Sequence, residues 1–278
     1  MDYSQIKIPA APRIAKELLT QLEQSEVSFR AIAKTVEFDP GLVASVLRLA
    51  NSAVYGANAP TSDIAIALGR IGTENIRQIC AEHIKNTAFP AETLLKGLEW
   101  KSLWEHSALA GIIANRIAKA TCEAKRISAI QIGSLFQNIG YFVLGQSEQK
   151  LLSYLLGECG NRKTDLVQLE EGLGFDLHES IAQKVLTEWN FPISATSVAR
   201  YHESTKRSTL PALSANMLKS VICGATANQL AQRMRPPIPY FPKPYKVPES
   251  HWQLLSLSEE KGLQIAHESS RFLQATRV

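Results

Sequence analysis

The stretch Asp39–Gly56, DPGLVASVLRLANSAVYG, constrains the fold more than any other part of this 278-residue chain. Asp39 before Pro40 is a helix start. A carboxylate accepts from the first free N–H groups, and the ring's missing N–H costs nothing at the first helical position. Leu42, Val43, Val46, Leu47, Leu49 and Ala50 follow at helical spacing and form a wide apolar stripe. The helix runs into Asn51-Ser52, and Gly56 closes the turn after Tyr55. Such a segment buries a helix against others and ends it in a tight polar corner.

The rest of the chain repeats the pattern. Pro12 opens a helix with Ile14, Leu18, Leu19 and Leu22 on one face, and Ser28 caps another through Ile32 and Val36. A short helix through Ile64–Leu68 is broken and restarted at Gly72-Thr73. Longer helices follow from Trp100 to Ile117, around Ile130–Phe136, and from Ile181 to Trp189, where Pro192 ends the element. Two more run from Ile193 to Tyr201 and from Leu210 to Met234. Period-2 alternation is absent, so no strands are expected. Six prolines in RPPIPYFPKPYKVPES forbid regular structure over 235–250. That segment is expected to lie over the domain with Tyr240, Phe241 and Tyr245 tucked into grooves, and a helix from about Leu257 to Ala275 follows. The expectation is an all-α, two-lobed helical bundle. Its N-terminal lobe at 1–90 packs on a second helical lobe at 91–235, and 236–278 hold the proline-rich segment and the last helix.

Composition narrows the function classes. Hydrophobic residues at 45% and charged residues at 20% suit a water-soluble domain. No apolar run approaches the roughly 18 residues of a membrane span, and the first residues do not read as a secretory signal, so a cytoplasmic location and no membrane partner are expected. Cys80, Cys122, Cys159 and Cys223 are scattered without C-x-x-C spacing, which predicts small buried thiols and neither a zinc ribbon nor a redox motif. The net charge of +4 is interleaved with acids, and no basic–aromatic ladder is present, so no nucleic acid is expected. Phosphate-binding G-x-x-x-x-G-K-[ST], dinucleotide-binding G-x-G-x-x-G and nucleophile-elbow G-x-S-x-G patterns are all absent.

DPGLVASVLRLANSAVYG resembles the signature of the HDOD family, the HD-related output domain of bacterial signalling proteins, and the resemblance extends over about residues 5–232. It implies that the second lobe is similar to an HD-type metal-dependent phosphohydrolase. In that superfamily histidines and aspartates hold one or two metal ions, which polarise a phosphoryl oxygen and supply hydroxide. On that resemblance His106, in WEHSALAGIIANRIA, stands at the first histidine. The family's L-H-D-I-G is here Leu135-Phe136-Gln137-Asn138-Ile139-Gly140, so Gln137 and Asn138 replace the His-Asp pair. In LGFDLHESIA a further histidine falls on Leu177, and His178 is displaced by one, about 100° round a helix. In VARYHES, Tyr201 replaces one histidine while His202-Glu203 stand intact, and in VICGATANQLA the terminal aspartate falls on Thr226, or on Ala225 with a one-residue shift.

The resemblance implies a degenerate site: His106 survives, Gln137, Asn138, Leu177 and Thr226 supply no charge, and neither a metal nor another cofactor is expected. The corner Asp39, Pro40, Asn51, Ser52, Tyr55 and Gly56 is expected to be structural. His202-Glu203 are expected as a cap or salt link near the surface, and His83, His251 and His267 as surface residues. Three functions follow as expectations: a non-catalytic signalling module that binds an unidentified signalling protein, an HD-type phosphohydrolase, or a binder of a small ligand such as a nucleotide in the cleft of His106, Gln137, Asn138 and His202.

Overall fold

A computed structural model describes residues 6–24, 26–55, 60–173, 177–203 and 210–276. Every regular element among the described residues is helical, as the missing alternation predicts. The chain divides into two compact units, one of residues 10–88 and 269–278, the other of residues 1–9 and 89–268.

In the smaller unit, α1 (Arg13–Gln21), α2 (Phe29–Val36) and α3 (Pro40–Ala50) bury the faces their spacing marks out, and α4 (Ile64–Ala88) packs on all three. Ser28 caps α2 by accepting from the Ala31 N–H. Asp39 caps α3 with Oδ1, which accepts from Gly41 N at 2.9 Å and Leu42 N at 3.0 Å. Gly72 breaks α4 at φ 74° and ψ 166°, a backbone position costly for residues with a Cβ. The corner after α3 is closed by Asn51. Its amide donates to Thr61 O and its carbonyl accepts from Thr61 N, both at 2.9 Å. Ser52 Oγ donates to Leu49 O, Tyr55 ends a single 3-10 turn, and Gly56 lies outside the described residues.

The larger unit is built on α5 (Trp100–Thr121), which packs against α6 (Ala124–Leu135) and a later helix of similar length. Then come α7 (Ile139–Ser147), α8 (Gln149–Arg162), α9 (Leu166–Gly172), α10 (Leu177–Glu188) and α11 (Ile193–Arg200). The long partner of α5 is α12 (Ala215–Arg233), followed by α13 (Glu249–Leu255). The last helix, α14 (Glu259–Thr276), is assigned to this unit through Glu268 and to the smaller one from Ser269. The stretch Ala124–Ser147 is apolar and long enough to cross a membrane by composition, but its window is 89% buried inside the protein, and Phe136–Asn138 split it into α6 and α7. Trp104, Phe136, Phe142 and Trp189 form an aromatic core beside it.

Two expectations need correction here. The proline-rich segment is irregular as expected, but α13 follows it directly and carries His251 into the interior, only 3% exposed. His83 is half-buried on α4, where its Nε2 meets Asp39 Oδ2 at 3.0 Å. His267 is exposed, as expected.

Candidate functional site

Four helices and one irregular segment of the larger unit bring the predicted residues together. His106 projects from α5, Gln137 and Asn138 sit in the break before α7, His202 and Glu203 follow α11, and Asn228 comes from α12. All but Glu203 are buried; Gln137, His202 and Asn228 have no exposed surface, and the Glu203 side chain is 9% exposed. Gly140 makes the close approach possible, because a Cβ there would stand 2.0 Å from His178 O. The glycine of the FQNIG segment thus lets α7 and α10 touch backbone to backbone.

The hydrogen bonds fix the chemistry. Asn228 Nδ2 lies 3.0 Å from Glu203 Oε1, and a carboxylate only accepts, so the amide nitrogen faces Glu203 and Oδ1 faces His106. His106 Nε2 approaches that oxygen at 2.7 Å and therefore carries the proton. Gln137 Nε2 donates to the same oxygen at 2.8 Å. Asn138 Nδ2 donates to Ser107 Oγ at 3.0 Å. Burial pulls the His106 pKa down to about 4, against the raising effect of the Asn228 bond, so the imidazole is neutral.

An HD-type metal does not fit this donor set. Its ligands must be unprotonated imidazole and anionic carboxylate. Here His106 Nε2 bears a proton, the positions of the His-Asp pair are the neutral amides Gln137 and Asn138, and Glu203 accepts from Asn228. Among the described residues, no group of three or more His, Cys, Asp or Glu side chains is placed to hold a metal ion.

Beside this network lies a second buried cluster. His178 Nδ1 meets Glu170 Oε2 of α9 at 2.6 Å, its ring stacks on Tyr141 at 4.4 Å, and it stands edge-on to His202 at 5.3 Å. Burial pulls the His178 imidazole down, but the charge and hydrogen bond of Glu170, with Glu179 and Glu203 behind it, reverse this and hold it up at about 9. Glu179 accepts from Glu203 N at 3.2 Å and faces Arg200 at 3.5 Å; burial pushes its carboxyl up to about 7. His202 donates Nδ1–H to Ala199 O at 2.8 Å, and burial, with His178 nearby, keeps it well below its ordinary value.

Four sequence expectations change. His178, expected to turn away, lies in the cluster because the buried Glu170 draws it in, while Leu177 is simply core, 1% exposed. His202 is fully buried rather than near the surface. Thr226 faces away from His106 and pairs with His251 Nδ1 at 3.1 Å, and Asn228 occupies the site instead. Two residues on a helix are about 200° apart, so the face changes completely. The missed signal was an amide side chain in the small, apolar run of α12.

The proline-rich segment covers the network. Arg235 pairs with Glu105 of α5, Tyr240 O accepts from Leu166 N at 2.8 Å, and Phe241 sets its ring edge-on to Tyr141 at 5.0 Å. The space left between His106, Asn138, Glu203 and this segment is about 30 Å³, room for one or two waters.

Fold and site define an all-α helical protein with a buried histidine–amide network under a proline-rich cover. The profile of the HDOD domain matches residues 8–205, and the chain belongs to the HDOD family. Asn228, His251 and the covering segment lie beyond that match. The chain is 21% identical to an HDOD domain protein of unknown function from Geobacter sulfurreducens, with TM-score 0.75 over 97% of this chain and 91% of that one. It is 18% identical to a candidate signal transduction protein from Marinobacter aquaeolei VT8, with TM-score 0.73 over 98% of this chain and 58% of that one. At these identities the likeness is one of fold. An uncharacterized protein of Treponema pallidum (strain Nichols) is 26% identical over 199 residues, 71% of this chain, and the chain spans 38% of that protein's length.

Proposed function

We propose that this protein is a non-catalytic signalling module that acts by binding another protein, its HD-type metal site replaced by a buried histidine–amide network. The observation that carries the reading is the shared acceptor Asn228 Oδ1, which takes bonds from both His106 and Gln137 at 2.7 and 2.8 Å. His106 spends its imidazole proton on an amide, and the two positions of the His-Asp pair offer amides in place of a charged ligand. The fold likeness to a candidate signal transduction protein agrees with this reading. The partner is a signalling protein recognised through a surface outside the network.

The test is a phosphoester assay with manganese, iron or magnesium added, using mono- and diester chromogenic substrates. No metal-dependent turnover is expected. Turnover that chelator abolishes and His106→Ala removes would instead make the protein an HD-type phosphohydrolase. Once a partner is in hand, Asn138→Ala should leave its affinity unchanged; a clear loss with the fold intact would move the interaction to the cleft.

A further inference from the structure

The proline-rich segment 235–248 is seated on the larger unit through contacts that another chain could make. Arg235 pairs with Glu105 of α5. Tyr240 O accepts from Leu166 N of α9 at 2.8 Å, a backbone bond that any extended chain can offer. Phe241 sets its ring edge-on to Tyr141 of α7 at 5.0 Å, and Tyr245 N donates to Gln229 Oε1 of α12 at 3.4 Å. None of these four partners belongs to the histidine–amide network. The segment does little to hold itself, since each proline lacks an N–H to donate. Tyr240 stands at φ 67° with its ring 41% exposed, a backbone conformation that lasts in a residue with a Cβ only where the surroundings impose it. One side of the segment closes the small space over His106, and the other walls a cleft of about 1130 Å³ faced by α9 and the end of α11. The HDOD match ends at residue 205, so Glu105, Tyr141 and Leu166 belong to the family domain and the segment seated on them lies beyond it.

We propose that the face made by Glu105, Tyr141, Leu166 and Gln229 is the docking site for the partner protein, and that residues 235–248 occupy it until the partner displaces them. The inference rests on the reading of the protein as a partner-binding module. The resident segment states the chemistry of the incoming one: an extended stretch with an aromatic side chain beside a proline and an arginine ahead of it. The partner's ring takes the place of Phe241 against Tyr141, whose own ring is stacked on His178 and so presents a fixed surface. Its arginine takes the Glu105 carboxylate, which suits the forked donors of a guanidinium. One of its carbonyls accepts from Leu166 N, and one of its amides donates to Gln229. A proline-stiffened chain loses little freedom on docking, so few contacts suffice to hold it. The resident segment is tethered by α12 at one end and α13 at the other, which gives it a high effective concentration. A partner must therefore offer more contact than the segment it replaces, and the cleft beside Tyr240 gives it room to approach.

The experiment uses the full-length chain and, as probe, a fluorescently labelled synthetic peptide of residues 235–248, with binding read by anisotropy. Phe241→Ala in the protein loosens the resident segment and should bind the peptide about tenfold or more tighter than wild type, whose own segment competes. The peptide carrying Phe241→Ala should bind that variant about tenfold more weakly, the expected loss for an edge-on aromatic contact and its buried area. Adding Tyr141→Ala to the protein variant should weaken the unchanged peptide by a similar factor. Should Phe241→Ala fail to fold by circular dichroism, Arg235→Gln frees the other anchor and takes its place. The proposal is overturned if the peptide binds neither loosened variant, if it binds wild type equally well, or if Tyr141→Ala leaves its affinity unchanged. Dimers that form in a loosened variant and dissociate on adding the peptide would give the site to a second copy of this chain and overturn the partner assignment. Failure of the peptide leaves the non-catalytic reading standing, because that reading falls to metal-dependent phosphoester turnover instead.

Discussion

His106 Nε2 donates to Asn228 Oδ1 across 2.7 Å and so joins α5 to α12 through a single oxygen that also serves Gln137. The bond links residues far apart in sequence, and all three side chains are shut away from solvent, so each depends on the others for its hydrogen bonds.

Removing the shared acceptor is therefore costly. Asn228→Ala orphans His106 and Gln137 and leaves the Glu203 carboxylate without its amide donor, a loss of about 3 kcal/mol by the usual penalty for unsatisfied buried groups. Asn138→Ala breaks the bond to Ser107 and should cost roughly 1 kcal/mol. Urea denaturation of both variants measures the difference, and an Asn228→Ala loss no larger than that of Asn138→Ala would contradict the network.

Gly140 tests the contact that frames the site. A methyl group there would stand 2.0 Å from the backbone oxygen of His178. Backbone cannot swing aside as a side chain does, so Gly140→Ala should cost about 3 kcal/mol or more, at the upper end for overpacking. Gly157, where a Cβ meets nothing within 4 Å, is the control. Gly157→Ala should be neutral or slightly stabilising in the same thermal melts.

The two buried clusters give stability opposite slopes with pH. His106 is held down to about 4 against an ordinary 6.5, so the unfolded chain binds its proton first and stability falls as pH drops from 6.5 towards 4. His202, also held down, acts in the same direction. His178 is held up at about 9, so its stabilising effect is complete below pH 6.5 and is lost as pH rises through 9. Glu179, raised from 4.5 to about 7, also costs stability as pH rises between those values. Thermal melts across pH 4–9 should show that His106→Gln shallows the acid limb and that Glu170→Gln shallows the limb above pH 6.5. An unchanged alkaline limb in Glu170→Gln would remove the His178–Glu170 ion pair from the account.

Asp39 carries two tasks in the smaller unit: Oδ1 caps α3 and Oδ2 meets His83. Asp39→Ala should cost about 1–2 kcal/mol, the range for a lost N-cap with a modest addition for the half-buried pair. Asp39→Ser keeps the cap alone and should recover most of that loss. If serine recovers nothing, the His83 contact carries the stability and the cap does not.

Much of the fold could be read from the chain. Local periodicity placed α1 to α3, Gly72 marked the break in α4, and the prolines marked the irregular cover, because spacing and backbone restriction act within a few residues. The site was less legible. Gln137 and Asn138 read as neutral replacements, but the hydrogen-bond partner of His106 is Asn228, which only the packing of α12 on α5 reveals. His178 was placed by counting round a helix, whereas the buried Glu170, eight residues earlier, decides where it goes. Short α13 escaped notice because seven residues beside a proline-rich run carry too little periodicity to stand out.

His106, Gln137 and Asn228 bond to one another, and among the described residues no three His, Cys, Asp or Glu side chains gather to hold a metal, so the site should bind none. Elemental mass spectrometry tests it most directly, on protein purified without chelator or a metal-binding tag and then incubated with excess manganese, iron, zinc or magnesium before desalting. Less than a tenth of an equivalent of any of these ions is expected, on the order of background for a site where no three ligand side chains gather. Near-stoichiometric metal that His106→Ala removes would contradict the claim.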